Sequence, residues 1–212
     1  MIGLFLLVMA RVSRADEIHY CFPVQPIDKM TFSKGGHRYP AVDIFGKTGM
    51  SFVAPVSGVV EYLNRNDEWD KETNDPDKKG GRWVSLIGDD GLRYYGSHLE
   101  RVYDKIGVGQ RIKSGDVLGY LGDSGNAKGT PVHLHFGMSH ASTPCSWKTR
   151  RGEIEPYLFL RCILRRGCNV EAVLAKEKAR VSGIRTGRHQ SMNGCPTIPS
   201  GGRLAAVTDF WR

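Results

Sequence analysis

The stretch Val132-His133-Leu134-His135-Phe136-Gly137-Met138 alternates apolar residues with two histidines and a glycine. A period of two marks a β-strand, in which residues i and i+2 point to the same face. His133 and His135 therefore project together, while Leu134 faces the other way, into core. Short segments of the same kind recur toward the N-terminus. Residues 51–62 (SFVAPVSGVVEY) read as strand, turn at Ser57-Gly58, and strand. Residues 82–87 and 92–95 read as a hairpin around Asp89-Asp90-Gly91. Residues 107–122 hold short β segments separated by glycines. The polar, acid-rich residues 64–81 read as a surface loop. The 26 glycines favour a turn-rich β protein over a helical one. No amphipathic helical stretch is expected before about residue 170, and a short helix is expected over residues 171–180. The predicted fold is all-β: an antiparallel sandwich or open barrel with long surface loops and an irregular or short-helical C-terminal tail.

Two histidines on one strand face offer a metal ligand and a proton carrier side by side. A second polar group, His37 with Asp43, lies in Gly36-His37-Arg38-Tyr39-Pro40-Ala41-Val42-Asp43, and a third, His98, in Tyr94-Tyr95-Gly96-Ser97-His98-Leu99. His37, Asp43 and His135 together make an N, N, O ligand set. Three protein ligands and a fourth position open to water is the pattern of a catalytic zinc site. Zinc lowers the pKa of such a water and polarises a carbonyl. His98 and His133 are then free to move protons or to stabilise an oxyanion.

The segments HRYPAVD (37–43), VAPVSGVV (53–60), YYGSHLE (94–100), GQRIKSGDVLGYLGDSG (109–125) and TPVHLHFG (130–137) carry a specific resemblance. In this order, over roughly residues 20–160, they resemble the lysostaphin/LytM family of zinc peptidoglycan endopeptidases. The resemblance implies a LytM-like fold related to duplicated hybrid motifs. It implies zinc held by His37, Asp43 and His135, with catalysis by His98 and His133. It leaves open which of the last two takes the proton. The expected substrate is the peptide part of peptidoglycan, in cross-links or stem peptides, with residues 64–81 and 123–130 walling a groove that Tyr94 or Tyr95 lines. The chain departs from the family pattern in one place: five residues, not three, separate His37 from Asp43, and they include Pro40.

The termini add localisation. Residues 2–10 are apolar, and Ser13-Arg14-Ala15 offers small residues at the −3 and −1 positions of a cleavage site. Residues 1–15 therefore resemble a secretory signal peptide, too short to span a bilayer. The expected organisation is a signal peptide over 1–15, a zinc metallopeptidase domain over 16–165, and a poorly ordered basic tail over 166–212. The formal net charge of +8 lies wholly beyond residue 140. Such a tail suits an anionic wall polymer, and no aromatic-interleaved basic run points to nucleic acid. The expected protein is a secreted or wall-associated monomer without a transmembrane segment. Its five cysteines show no CxxC spacing, which argues against a cysteine zinc site; export permits disulfides, and an odd count leaves at least one thiol unpaired within the monomer.

Two other readings fit parts of the sequence. Residues 53–60 and 109–116 resemble the hybrid-barrel segments of lipoyl and biotinyl carrier domains, but no Met-Lys-Met-type tripeptide lies between them. A zinc-free relative that only binds wall or activates another hydrolase would lack one or more ligands, and all five expected polar residues are present.

Overall fold

The structure, a computed structural model, describes residues 17–143 and 145–182. The expected signal peptide lies outside them. The strands among these residues are β1 (Val24–Gln25), β2 (Thr31–Phe32), β3 (Ala41–Phe45), β4 (Ser51–Val53), β5 (Gly58–Asn64), β6 (Trp83–Gly88), β7 (Leu92–Ser97), β8 (Leu99–Val102), β9 (Arg111–Ile112), β10 (Val117–Leu121) and β11 (His133–His140). They form a seven-stranded sheet in the order β2-β3-β11-β7-β6-β5-β9 and a four-stranded sheet in the order β1-β4-β10-β8. The strand pairs are antiparallel. The fold is thus of the antiparallel all-β class expected, as two open sheets and not a closed barrel.

Alternation along the large sheet separates core from site. Val42, Ile44, Val84, Leu86, Tyr94, Leu134, Phe136 and Met138 are buried in one hydrophobic cluster with Phe52, Leu118 and Leu121 of the small sheet. The sheets meet closely at Gly96, where a Cβ would lie 2.5 Å from the Phe52 ring, so no larger residue fits there without displacing β4. On the opposite face, register sets the polar row. His135 lies opposite both Asp43 of β3 and Ser97 of β7, and Ser97 lies opposite Trp83 of β6. A one-residue slip would move this whole row into the core.

The expectation of no helix before residue 170 is corrected. Helix α1 (Trp147–Arg151) starts at Ser146, whose side chain accepts a hydrogen bond from Thr149 N. Helix α2 (Pro156–Ile163) has Pro156 in its first turn and Glu155 as N-cap, its carboxylate accepting from Tyr157 N. Proline is tolerated there because its missing N–H would have no intrahelical partner. Pro156, Phe159 and Leu160 are buried, the i, i+3, i+4 face of a helix too short for its periodicity to stand out. Helix α3 (Val170–Ser182) extends the helix expected over 171–180. The expected boundary after residue 165 falls between α2 and α3, inside the loop closed by the Cys162–Cys168 disulfide. Helix α3 nevertheless packs against α2, burying Leu174 and Val181 in the main cluster. Residues 183–212 lie outside the described residues. Cys145 is also disulfide-bonded, and Cys21 is a free thiol.

Candidate metal centre

Asp43 and His135 are placed by the sheet itself, as cross-strand neighbours on β3 and β11. His37 arrives from the loop between β2 and β3. Asp43 sits mid-strand, so the two additional residues are absorbed on the His37 side. Tyr39 stacks on the His37 ring at 5.0 Å between centroids. His37 Nε2 lies 2.9 Å and His135 Nδ1 3.0 Å from the same oxygen, Asp43 Oδ1. One ligand atom from each residue falls within 4.8 Å of the others, a cluster able to hold a metal ion.

The hydrogen bonds of His135 test whether a cation fits. Its Nε2 donates to the carbonyl oxygen of Arg151 at 3.3 Å, leaving Nδ1 directed at Asp43. A neutral imidazole carries only one N–H. Burial lowers the His135 pKa, against the opposing pull of the Asp43 carboxylate, and so disfavours the doubly protonated ring. Nδ1 therefore presents a lone pair toward a carboxylate oxygen, an arrangement that a cation between them relieves. A backbone carbonyl that fixes the distal nitrogen is the usual support of a metal-binding histidine. Burial pushes the Asp43 carboxyl up, but the neighbouring His135 and His37 imidazoles outweigh it and hold Asp43 below the usual carboxylate range. Asp43 is thus ionised and ready to act as a ligand.

Two more imidazoles border this cluster. His133 Nε2 is 4.0 Å from Asp43 Oδ1, and the His98 and His133 rings are 5.0 Å apart. His133 Nδ1 donates to Pro131 O and His98 Nδ1 to Ser124 O, each at 2.8 Å. Each Nδ1 is thus the donor, which leaves Nε2 of each ring for other partners. Burial, with His135 and His133 nearby, pushes the His98 pKa down to about 3. His98 joins β7 of the large sheet to β8 of the small one with φ of 64°, a left-handed conformation in which His is over-represented among non-glycine residues.

The cluster lies at the floor of a cavity of about 290 Å³. Loop residues Pro76, Asp77, Lys79 and Gly80 wall one part, and Asn126, Ala127 and Thr130 another. Both expected loops thus contribute. Tyr95 lines the cavity, whereas Tyr94 points into the core and donates to Asp90 at 2.6 Å. Three further lining residues escaped the sequence analysis: Trp147, Arg150 and Arg151. Their signal was available only as the capped, basic run Ser146-Trp147-Lys148-Thr149-Arg150-Arg151. Helix α1 lies against β11 at Gly137, where a Cβ would come within 2.5 Å of Arg150 O and 2.6 Å of Arg151 O.

The chain is similar to the L-Ala--D-Glu endopeptidase of Bacillus subtilis (strain 168), 29% identical over 133 residues, covering 60% of this chain and 36% of that one. It therefore spans about a third of that relative's length. Among solved structures it is similar to the catalytic domain of the antimicrobial peptidase lysostaphin from Staphylococcus simulans, with 27% identity, a TM-score of 0.46, and coverage of 68% and 92% of the two chains. It is also similar to a putative peptidase M23 from Pseudomonas aeruginosa, with 20% identity, a TM-score of 0.48, and coverage of 66% and 50%. Residues 37–147, half of the sequence, match the family profile of Peptidase family M23, the lysostaphin/LytM-like peptidases, and the chain belongs to that family.

Proposed function

We propose that the protein is a secreted zinc metalloendopeptidase that hydrolyses peptide bonds of peptidoglycan, in cross-links or in stem peptides. The observation that carries this reading is the convergence of His37 Nε2 and His135 Nδ1 on Asp43 Oδ1 beside two further imidazoles. His37, Asp43 and His135 would hold the metal. Zinc bound there would supply a Lewis acid and an activated water.

The other residues handle position and protons. Residues 76–80 and 126–130 flank an extended peptide over the cluster. His98 and His133, each fixed with Nε2 as acceptor, take the proton released in the attack. Once protonated, the same nitrogen becomes a donor, for the developing oxyanion or for the leaving amine.

Export by residues 1–15 and retention at the wall by the basic C-terminal segment belong to the same reading, with residues 16–165 as the catalytic unit of a monomer. None of the helices among the described residues is long and apolar enough to cross a membrane. The test is incubation of the zinc-reconstituted chain with defined muropeptides, with fragments read by mass spectrometry. Cleavage at one peptide bond is expected. Intact peptides despite stoichiometric zinc would replace the enzyme by a wall-binding module.

A further inference from the structure

The charged residues lining the cavity are Asp43, Asp77, Lys79, Arg150 and Arg151. Asp43 is engaged by His37 and His135. Asp77 lies 3.4 Å from Arg150, which is buried with its guanidinium 4.6 Å from the Trp83 ring centroid. Arg150 thus serves as a strut between α1 and the loop at Asp77. Among the described residues no carboxylate pairs with Arg151 or Lys79. Lys79 and Arg151, on separate chain segments, are thus left without a carboxylate partner, and the five charged lining residues sum to a net positive charge before any metal is counted.

Arg151 is held as a ligand-binding guanidinium is held. Its Cζ lies 4.5 Å from the Trp147 ring centroid and 5.7 Å from that of Tyr39. Aromatic neighbours restrain the plane of the guanidinium and leave its N–H edge for an acceptor. Its backbone is fixed independently, because Arg151 O accepts from His135 Nε2. Tyr39 in turn stacks on His37, so the guanidinium is one ring away from the proposed metal ligands. A planar fork binds a carboxylate through two parallel charge-assisted hydrogen bonds, which a carboxamide cannot match.

We propose that Arg151, with the charge of Lys79 in the same cavity, forms a carboxylate subsite, so that this chain selects acidic peptides whose free carboxylate flanks the scissile amide. This rests on the endopeptidase reading and names its substrate class. Neutral peptides such as oligoglycine would leave the subsite unfilled.

The test uses the full chain loaded with zinc and two peptides that differ only in a carboxylate or a carboxamide next to the scissile bond. The carboxylate peptide should be favoured in kcat/KM by about tenfold or more, the size of a charged hydrogen-bond pair, and less so at high salt. Arg151→Met keeps an apolar stem over Trp147 and should bring the ratio to within about twofold of one; Arg151→Lys should restore part of it. Equal cleavage by the wild type, or an unchanged preference in Arg151→Met, overturns the proposal. Failure of the wild type to cut either peptide would instead refute the endopeptidase reading. The subsite is then judged from binding of the same labelled peptides by fluorescence anisotropy. Carboxylate-selective binding lost in Arg151→Met supports it, and binding without selectivity overturns it.

Discussion

The backbone carbonyl of Arg151 accepts the Nε2–H of His135 at 3.3 Å, and this bond couples helix α1 to the proposed metal ligands. It fixes the tautomer that turns Nδ1 toward Asp43. The bond depends on Gly137, since a Cβ there would collide with the carbonyls of Arg150 and Arg151. Gly137→Ala should therefore push α1 outward. Loss of an outer partner of a ligating histidine typically costs about 10–100-fold in metal affinity or activity. A competition titration with a zinc chelator should find affinity lowered by that order, with the far-UV CD spectrum retained. Wild-type affinity in Gly137→Ala would uncouple α1 from the site.

The histidines should separate by role. His135→Ala removes a proposed ligand and should abolish both zinc retention and hydrolysis. His98→Ala and His133→Ala should keep about one zinc per chain while losing about a hundredfold or more in kcat, the loss typical of removing acid–base or oxyanion help. Metal analysis beside kinetics checks this. Zinc lost from His133→Ala but kept by His135→Ala would reverse the assignment within the pair.

Much of this centre was legible before any coordinates, because it rests on strand periodicity and register. Alternation alone put His133 and His135 on one face. Asp43 and His135 then meet because β3 and β11 pair, a long-range contact that the ordered motifs implied and the residue pattern alone did not. The helices behaved differently. A five-residue helix such as α1 has no periodicity to detect and exists through its cap at Ser146 and its docking on Gly137. Arg150 and Arg151 therefore read only as part of the basic excess beyond residue 140, although one is a buried strut and both line the cleft. Basic composition could not distinguish those fates.

Acid should destabilise the metal-free protein through His98. Its folded pKa of about 3 lies below the ordinary histidine value, so between the two the unfolded state binds the extra proton. Stability should fall as pH drops from about 6.5 toward 3, with a limiting slope of about 1.4 kcal/mol per pH unit for one proton. Above that window the group contributes no pH dependence. His98→Asn accepts the left-handed backbone and carries no titrating ring. Urea unfolding of the chelator-treated protein between pH 4 and 7 should show a shallower slope in that variant; equal slopes would exclude His98 as the source.

Arg93 organises the approach to α1. It is buried and pairs with Glu61 through Nε at 2.6 Å and Nη2 at 2.7 Å. Its remaining N–H groups reach Ser139 Oγ and the carbonyls of His140, Ala141 and Thr143, the segment leading out of β11. Removing one member of a buried pair leaves an uncompensated charge and typically costs about 3–5 kcal/mol. Glu61→Ala should lose stability on that scale in denaturant unfolding. The double variant Glu61→Ala/Arg93→Met should lose less than the sum of the single changes, since it buries no lone charge. Strict additivity would show that the pair is not coupled.

Helix α3 should matter for stability and not for hydrolysis. It buries Leu174 and Val181 in the main cluster, and Lys178 Nζ donates to Asp90 O at 2.7 Å, tying the helix to the turn between β6 and β7. The cavity, by contrast, is lined by no residue beyond Arg151 among those described. Leu174→Ala should therefore cost about 2–5 kcal/mol, the range for truncating a buried leucine. Its kcat/KM on soluble peptides should stay at the wild-type value at temperatures where the variant is folded. Ending the chain at Cys168 should lower the unfolding midpoint at least as far. It should also weaken binding to anionic whole walls, because much of the basic excess is removed. A Leu174→Ala protein with wild-type stability would mean that α3 is only loosely docked. One that stays folded but loses peptide hydrolysis would make α3 part of the catalytic architecture.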